Sequence, residues 1–564
     1  GAHKTYVYDD DVISKTSNWI GHTVGGSLMN MAAIYGDGPE TETMEPYFTG
    51  AIMKFDAFLN HVTDTKDGAW GEGLGYNSYT FSNLSRSIPS LYNVFNIDLT
   101  APLVGSYNEF IWGGFIKNRM WFGFGDSGDS IMDATNWAFL LSMQKEPRLS
   151  WYYNYLKGKE TLDDLIFNTK GIAQDSPFDE NPDKIFHAIG TTVFKSGWEK
   201  NDLAFVMRTG AFYNHQHLDQ GSFWFADHGV TFIEDQPIHN SDYYDDPLYQ
   251  SHFIQPISHS TILINGNEQS QRVGDPLRFA PGFEDHAFIE ESLDGTKAAF
   301  SRGNIGRLYF GKVKSLSRNV LYLKPGVLLM LDEAVPSGKD ARVTLLYHTA
   351  ALKDITADQH VSKITKEGFT LNLMHLAPEF VEAKAVETPH YLKTLQKTRP
   401  LVREGMLTVS ASTQGNPLVM ANLLTTTAAG TAPDVTYKVS NGFVSGTASG
   451  EPFAFTTKPG SLYQVRHMET DALALTWGTD WTFAAMAKTV RRDGLLLMEA
   501  DAPITCEITA KNLKYSCSAA GQLLMGAAEK PASVLLNGTA IKNFTYDNER
   551  KAVILRVPAG EGNI

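Results

Sequence analysis

The spacing of apolar residues changes once along the chain. From residue 18 to about 165, apolar positions recur three and four apart in GGSLMNMAAIYG, MEPYFTGAIMKFDAFLNHV and SIMDATNWAFLLSMQ. That period lines one face of an α-helix, so this part is expected to be helical. Two stretches interrupt it, DGAWGEGLGYNSYTF and WFGFGDSGDS, both rich in glycine and aromatics. They read as long irregular loops, which in a compact helical domain tend to carry function by lining a cleft.

From about residue 185 the pattern becomes short alternating runs between turn residues, as in HAIGTTVFKSGW, LAFVMRTG, GSFWFADHGVTFIED, STILINGN and RVTLLYHTA. Alternation with period two marks half-buried strands, and strands recurring at this spacing suggest a sandwich. Short strands continue past residue 490, and EFVEAKAVETPHYLKTLQKTRP, near 379–400, looks like an insertion between strands. The expected architecture is α+β and multidomain, with helices over 1–170, an antiparallel β-sandwich over 171–490 and a small C-terminal β domain over 491–564.

Composition narrows the partners. The 564 residues are 43% hydrophobic and 20% charged, as in ordinary folded proteins. With 48 Lys plus Arg against 63 Asp plus Glu, the net charge of −15 leaves no broad basic surface for a phosphate backbone, so nucleic acid is not an expected partner. No run of 18 apolar residues occurs, so no membrane helix and no membrane partner is expected. The start, GAHKTYVYDDDV, does not read as a secretory leader. Either the protein is cytosolic or a leader has been removed, and the abrupt start points to the second, hence to a periplasmic or secreted protein. The two cysteines, Cys506 and Cys517, lie in what looks like one hairpin, as a disulfide or as two free thiols. Sequence does not choose between monomer and homodimer.

The densest candidate chemistry is Asn214-His215-Gln216-His217-Leu218-Asp219-Gln220-Gly221-Ser222-Phe223, followed by a strand, a glycine turn and Asp235, with His259 further on. On an extended segment, alternation puts His215, His217 and Asp219 on one face. Neutral imidazole and carboxylate suit zinc or a similar divalent ion, although a lone His-x-His is a modest signal.

These residues also carry a resemblance. The run RTGAFYNHQHLDQGSFWFADHGVTFIEDQ and the later HSTILING resemble the heparinase II/III superfamily of polysaccharide lyases. Its pattern is a His-x-His-x-Asp-x-Gly-Ser-Phe strand, a glycine turn, an Asp and a downstream His-Asn-Thr. Here the last element is His259-Ser260-Thr261, so Ser260 departs from the usual Asn. Upstream, SNWIGHTVGGSLMNMAAIYGDG resembles the superfamily's Asn/His helix and DGAWGEGLGYNSYTF its Tyr loop, in family order over roughly residues 15 to 270.

The resemblance implies an incomplete (α/α) toroid packed on a two-layer β-sheet domain, and β-elimination on a uronate-containing acidic polysaccharide, either alginate or a glycosaminoglycan. It implies that Asn18 neutralises the uronate carboxylate, with His22 a second proton acceptor. A tyrosine, Tyr76 or its competitor Tyr79, serves as acid and His215 as base or acid. It further implies one mainly structural divalent ion, zinc with manganese or calcium as alternatives, held by His217, Asp235 and His259. Tyr79, Glu72, Trp19 and Arg208 are expected to bind substrate. Arg86 and Arg272 flank the candidate loops, and Trp70, Trp112 and Trp121 are further stacking candidates whose more ordinary role is core packing. Two other readings stay open. One is a glycoside hydrolase using two carboxylates from Asp67, Glu72 or Asp126, and the other is a carbohydrate-binding protein with a structural metal.

Overall fold

The computed structural model describes residues 18–38, 41–63, 67–115, 117, 120–126, 134–212, 215, 217–235, 247–267, 271, 286–309, 311–338, 340–391, 401–542 and 544–564. Asn214, Gln216 and Arg272 lie outside these residues. The chain is a mixed α+β protein with antiparallel sheets. It folds as two compact units, one of residues up to 263 with 267–288 and 388–403, the other of 264–266, 289–387 and 404–564.

In the first unit a π-helical turn, Ile20–Val24, runs into helix α1, Gly25–Ile34. Then come α2, Thr41–Val62; α3, Leu74–Phe95; α4, Asn108–Trp112; α5, Ala138–Gln144; α6, Pro147–Leu156; and α7, Leu162–Phe167. A five-stranded antiparallel sheet follows: β1, Lys184–Phe186; β2, Thr191–Lys195; β3, Ala204–Arg208; β4, Phe223–Asp227; and β5, Val230–Ile233, hydrogen-bonded in that order. β2, β3 and β4 are buried at every position, so they read as continuous apolar runs in sequence.

The expected boundary at 170 fails because helices and sheet share one core. Phe55, Phe58, Trp70, Phe81 and Trp137 pack in the same cluster as Phe186, Val193, Val206 and Trp224. Trp70 and Trp112 belong to that core and not to a sugar-stacking surface. The glycine-rich stretch taken for a loop is also partly helical. Gly73, at φ 84°, caps α3, which starts at Leu74, so Tyr76 and Tyr79 sit three apart at the start of a helix and face the same way.

The second unit is a sandwich. Its eight-stranded sheet comprises β6, Phe288–Asp294; β7, Ala298–Asn304; β8, Val313–Leu323; β9, Val327–Pro336; β10, Ile355–Thr356; β11, Val361–Lys366; β12, Phe369–Ala377; and β13, Leu418–Ala428. Their order is β10-β11-β12-β13-β9-β8-β7-β6. A thirteen-stranded sheet spans Val435 to Asn563, and Phe453 and Phe483 from it share a core with Phe300, Leu321, Leu331 and Leu423 of the first. The expected separate domain after 490 does not exist. β14, Trp481–Arg492, pairs along its length with β15, Leu495–Thr509, across that point. The cysteines are both free, since the register sets Cys506 opposite Tyr515, two residues short of Cys517. Burial pushes the Cys506 thiol up to about 12, so it is inert.

Candidate active site

All the site residues described below belong to the first unit. Close packing of two helices sets one side. At Gly21 a Cβ would lie 2.7 Å from Thr80 Cγ2, so only glycine lets the π-helical turn approach α3 this closely. That approach lays the His22 ring against Tyr79, 4.1 Å between centroids. Burial holds the His22 imidazole below its ordinary value, which favours the neutral ring, and its Nε2 has no hydrogen-bond partner among the described residues. Four residues earlier, Asn18 donates its backbone N–H (2.9 Å) and its Nδ2–H (3.2 Å) to Glu72 Oε1. Glu72 is 1% exposed. It therefore orients Asn18 and is not the substrate-contacting residue expected from sequence.

The other side is built by the histidine motif, though not as a strand. Among the described residues of the expected extended segment, His215 and 217–222 lie in turns and irregular backbone, and regular pairing begins only at Phe223. His215 has φ 66°, a left-handed conformation that costs a non-glycine residue on the order of 1 kcal/mol and tends to mark a functional site. This turn stacks the His215 ring on Tyr76, 3.6 Å between centroids and 4° from parallel. Tyr79 lies edge-on to Tyr76 at 6.5 Å. His22, Tyr79, Tyr76 and His215 thus form a continuous row, in which Tyr79 is 55% exposed; Trp19, beside Asn18 in sequence, is also 55% exposed.

Behind His215 stands Asp126, from the second glycine-rich stretch. Its Oδ2 lies 3.0 Å from His215 Nδ1 and its Oδ1 3.0 Å from His217 Nε2, and the Tyr249 hydroxyl donates to Oδ1 at 3.0 Å. The Asp126 backbone N–H also donates to the His215 carbonyl at 2.8 Å. Burial alone would raise this carboxyl, but the hydrogen bonds from both histidines outweigh it and hold the group well below the usual carboxylate range. Sequence reasoning counted Asp126 only as a hydrolase carboxylate and passed over Tyr249 altogether.

A third cluster lies deeper. One ligand atom each from Asp219, Asp235 and His259 fall within 4.8 Å of one another, all three residues fully buried. His259 Nδ1 lies 2.8 Å from Asp235 Oδ1, which also accepts from Ser222 Oγ at 2.6 Å. Among the described residues the second oxygens of Asp219 and Asp235 have no hydrogen-bond partner. Burial together with the neighbouring Asp235 raises the Asp219 carboxyl. Two buried carboxylate oxygens left open beside an imidazole are suited to a divalent cation, which would remove their repulsion. His217 stands next to this group, its ring 5.1 Å from that of His259, but its Nε2 is turned to Asp126. In place of the expected His217, the turn after it brings Asp219 into the trio.

Arg208 differs most from its expected role. It is 2% exposed on β3, its Nε and Nη2 have no hydrogen-bond partner among the described residues, and it acts electrostatically on Glu109 and Asp219. It lies inside the protein and not on a sugar-binding surface.

Residues 179–421 match the family model for the heparinase II/III-like C-terminal domain, while no curated protein matches the sequence. Among solved structures, the chain is similar to the heparan sulfate lyase HepC from Pedobacter heparinus, with TM-score 0.58 and 13% identity, over 76% of this chain and 64% of that one. It is similar to heparinase III, with TM-score 0.61 and 13% identity, over 80% of this chain and 69% of that one. It is also similar to a Streptomyces coelicolor A3 chondroitin AC lyase in complex with chondroitin sulphate, with TM-score 0.51 and 10% identity, over 99% of this chain and 78% of that one. The chain thus spans just under two thirds of the length of the first of these. Residues 179–421 thus match the heparinase II/III-like C-terminal domain, and the chain shares its fold with these solved lyases.

Proposed function

We propose that the protein cleaves a uronate-containing acidic polysaccharide, alginate or a glycosaminoglycan, by β-elimination, leaving an unsaturated uronate at the new end. The observation that carries this reading is the stack of Tyr76 on His215, with His215 held from behind by Asp126. Elimination requires a base for the C5 proton, an acid for the leaving glycosidic oxygen, and a donor to the carboxylate whose enolate develops negative charge. His215, Tyr76 and Asn18 supply these three. Asn18 keeps its carboxamide oriented through Glu72, and an amide with two N–H groups can donate one to Glu72 and the other to substrate. Tyr79 and Trp19, both exposed, offer sugar-stacking faces. His22, kept neutral by burial, is a second acceptor where the C5 proton lies on the opposite face.

Asp219, Asp235 and His259 would hold one divalent ion, zinc by preference, with His217 Nδ1 as a neighbouring donor. A bound ion would there hold the motif turn, the end of β5 and the His259 segment together. The helices are read as part of an incomplete (α/α) toroid and the protein as periplasmic or secreted. A glycoside hydrolase reading is disfavoured by the carboxylates themselves. Glu72 is engaged with Asn18, and Asp126, held ionised by two histidines, cannot serve as a general acid.

Incubating the purified protein with alginate, hyaluronan, chondroitin, dermatan and heparan polymers and following ultraviolet absorbance tests the proposal. The conjugated double bond of an unsaturated uronate should appear with at least one polymer. Shorter chains formed without that absorbance would contradict elimination.

A further inference from the structure

We infer that Asp126 is a positioning residue that fixes which nitrogen of His215 carries the proton, and so commits His215 to act as the base in the elimination proposed above. An ionised carboxylate only accepts hydrogen bonds, so every nitrogen facing it must carry hydrogen. Asp126 is 2% exposed and faces His215 Nδ1 and His217 Nε2, each at 3.0 Å. In the neutral rings these two nitrogens are therefore the N–H positions, and His215 Nε2 and His217 Nδ1 hold the lone pairs. The two rings present opposite nitrogens to one carboxylate, so a single group sets both tautomers.

The surroundings leave Asp126 little freedom to turn. Tyr249 donates to it at 3.0 Å, and its backbone N–H is bonded to the His215 carbonyl at 2.8 Å. Tyr76 covers one face of the His215 ring, so the ring cannot tilt without losing the stack, and a flip would turn Nδ1 away from Asp126. His215 thus presents a bare Nε2, which can take the C5 proton but has none to give. Tyr76 O–H is left as the acid. The C5–H bond breaks, with its proton passing to His215 Nε2, and its electron pair forms the C4=C5 double bond as the C4–O bond breaks. The leaving oxygen takes the Tyr76 proton. Transfer of a proton from the His215 imidazolium to the Tyr76 phenolate, through solvent, restores both groups.

The inference rests on the lyase reading for its chemistry, but the tautomer can be tested without it. Nitrogen-15 histidine labelling of the whole chain, with the His215 signals assigned by their loss in His215→Ala, should show Nδ1 protonated and Nε2 bare. In Asp126→Asn one ring must face an N–H in place of an oxygen, so that pattern should be lost for His215, for His217, or for both. With a polymer the wild type cleaves, Asp126→Asn should lower kcat by about 10²–10⁴-fold, the usual worth of a positioned base, with KM changed only a few-fold. A wild-type His215 protonated at Nε2, or an Asp126→Asn variant with undiminished kcat, would overturn the inference. If the variant fails to fold, the wild-type ring spectrum alone decides it. If the wild type cleaves no uronate polymer, the lyase reading falls, while the ring spectrum still reports on Asp126.

Discussion

Tyr76 and His215 touch across two segments far apart in sequence, and that contact sets the acid beside the base. Tyr76→Phe should lower the elimination rate by about 10²–10⁴-fold with the melting temperature unchanged, because the ring stack survives and only the hydroxyl is lost. Near-full activity would move the acid to Tyr79 or a histidine. Glu109 gives an independent test of the same interior. Burial raises its carboxyl to about 7 from an ordinary 4.5, so the folded protein binds a proton there that the unfolded chain releases. Its contribution to stability is complete below about pH 4.5 and is lost as pH rises toward 7. Glu109→Gln keeps an acceptor for the Trp70 N–H, so it should raise the melting temperature at pH 8 more than at pH 5. An equal change at both values would contradict a protonated Glu109. At this scale sequence showed the residues whose neighbours form a motif. Asp126 and Tyr249 sit among residues with no such pattern, and only folding brings their side chains to the histidines.

At the scale of elements, the helices were legible where apolar spacing is regular and misread where glycines crowd together. α3 was hidden because Gly71, Gly73 and Gly75 mimic a loop, although Gly73 is the cap that starts the helix. The motif was misread in the opposite sense, since alternation suggested a strand and the left-handed turn at His215 replaced it. That turn sends Asp219 toward Asp235 and both histidines toward Asp126. Two expectations follow. Gly21→Ala would press a methyl against Thr80, whose hydroxyl is tied to the Tyr76 carbonyl, so it should cost about 1–3 kcal/mol of stability and also reduce activity. An unchanged melting curve would show that the close approach does not hold this side of the site. Removing a bound divalent ion with a chelator should lower the melting temperature, and Asp235→Ala should abolish that dependence, because its carboxylate joins two other segments at the proposed ion. Metal analysis finding far less than about one ion per chain would contradict the trio as a metal centre.

For the whole molecule, composition and strand periodicity foretold an α+β protein with antiparallel sheets but not where it divides. The division depends on which residues share a core, and long-range packing leaves no local mark in the sequence. Trp224 and Phe81 are distant in the chain yet lie in one cluster, and β14 and β15 pair across the boundary expected near 490. A chain ending at 490 would leave β14 without its β15 partner and should lose cooperative melting, whereas an independent C-terminal domain would leave the remainder intact. The central claim, that this molecule breaks glycosidic bonds by elimination, is tested most directly by the mass of its products formed in ¹⁸O-labelled water. Elimination gives fragments that carry the new unsaturated end and are one water lighter than hydrolysis products, with no label from the cleavage. Products of full hydrolytic mass with one labelled oxygen at the cut would contradict it.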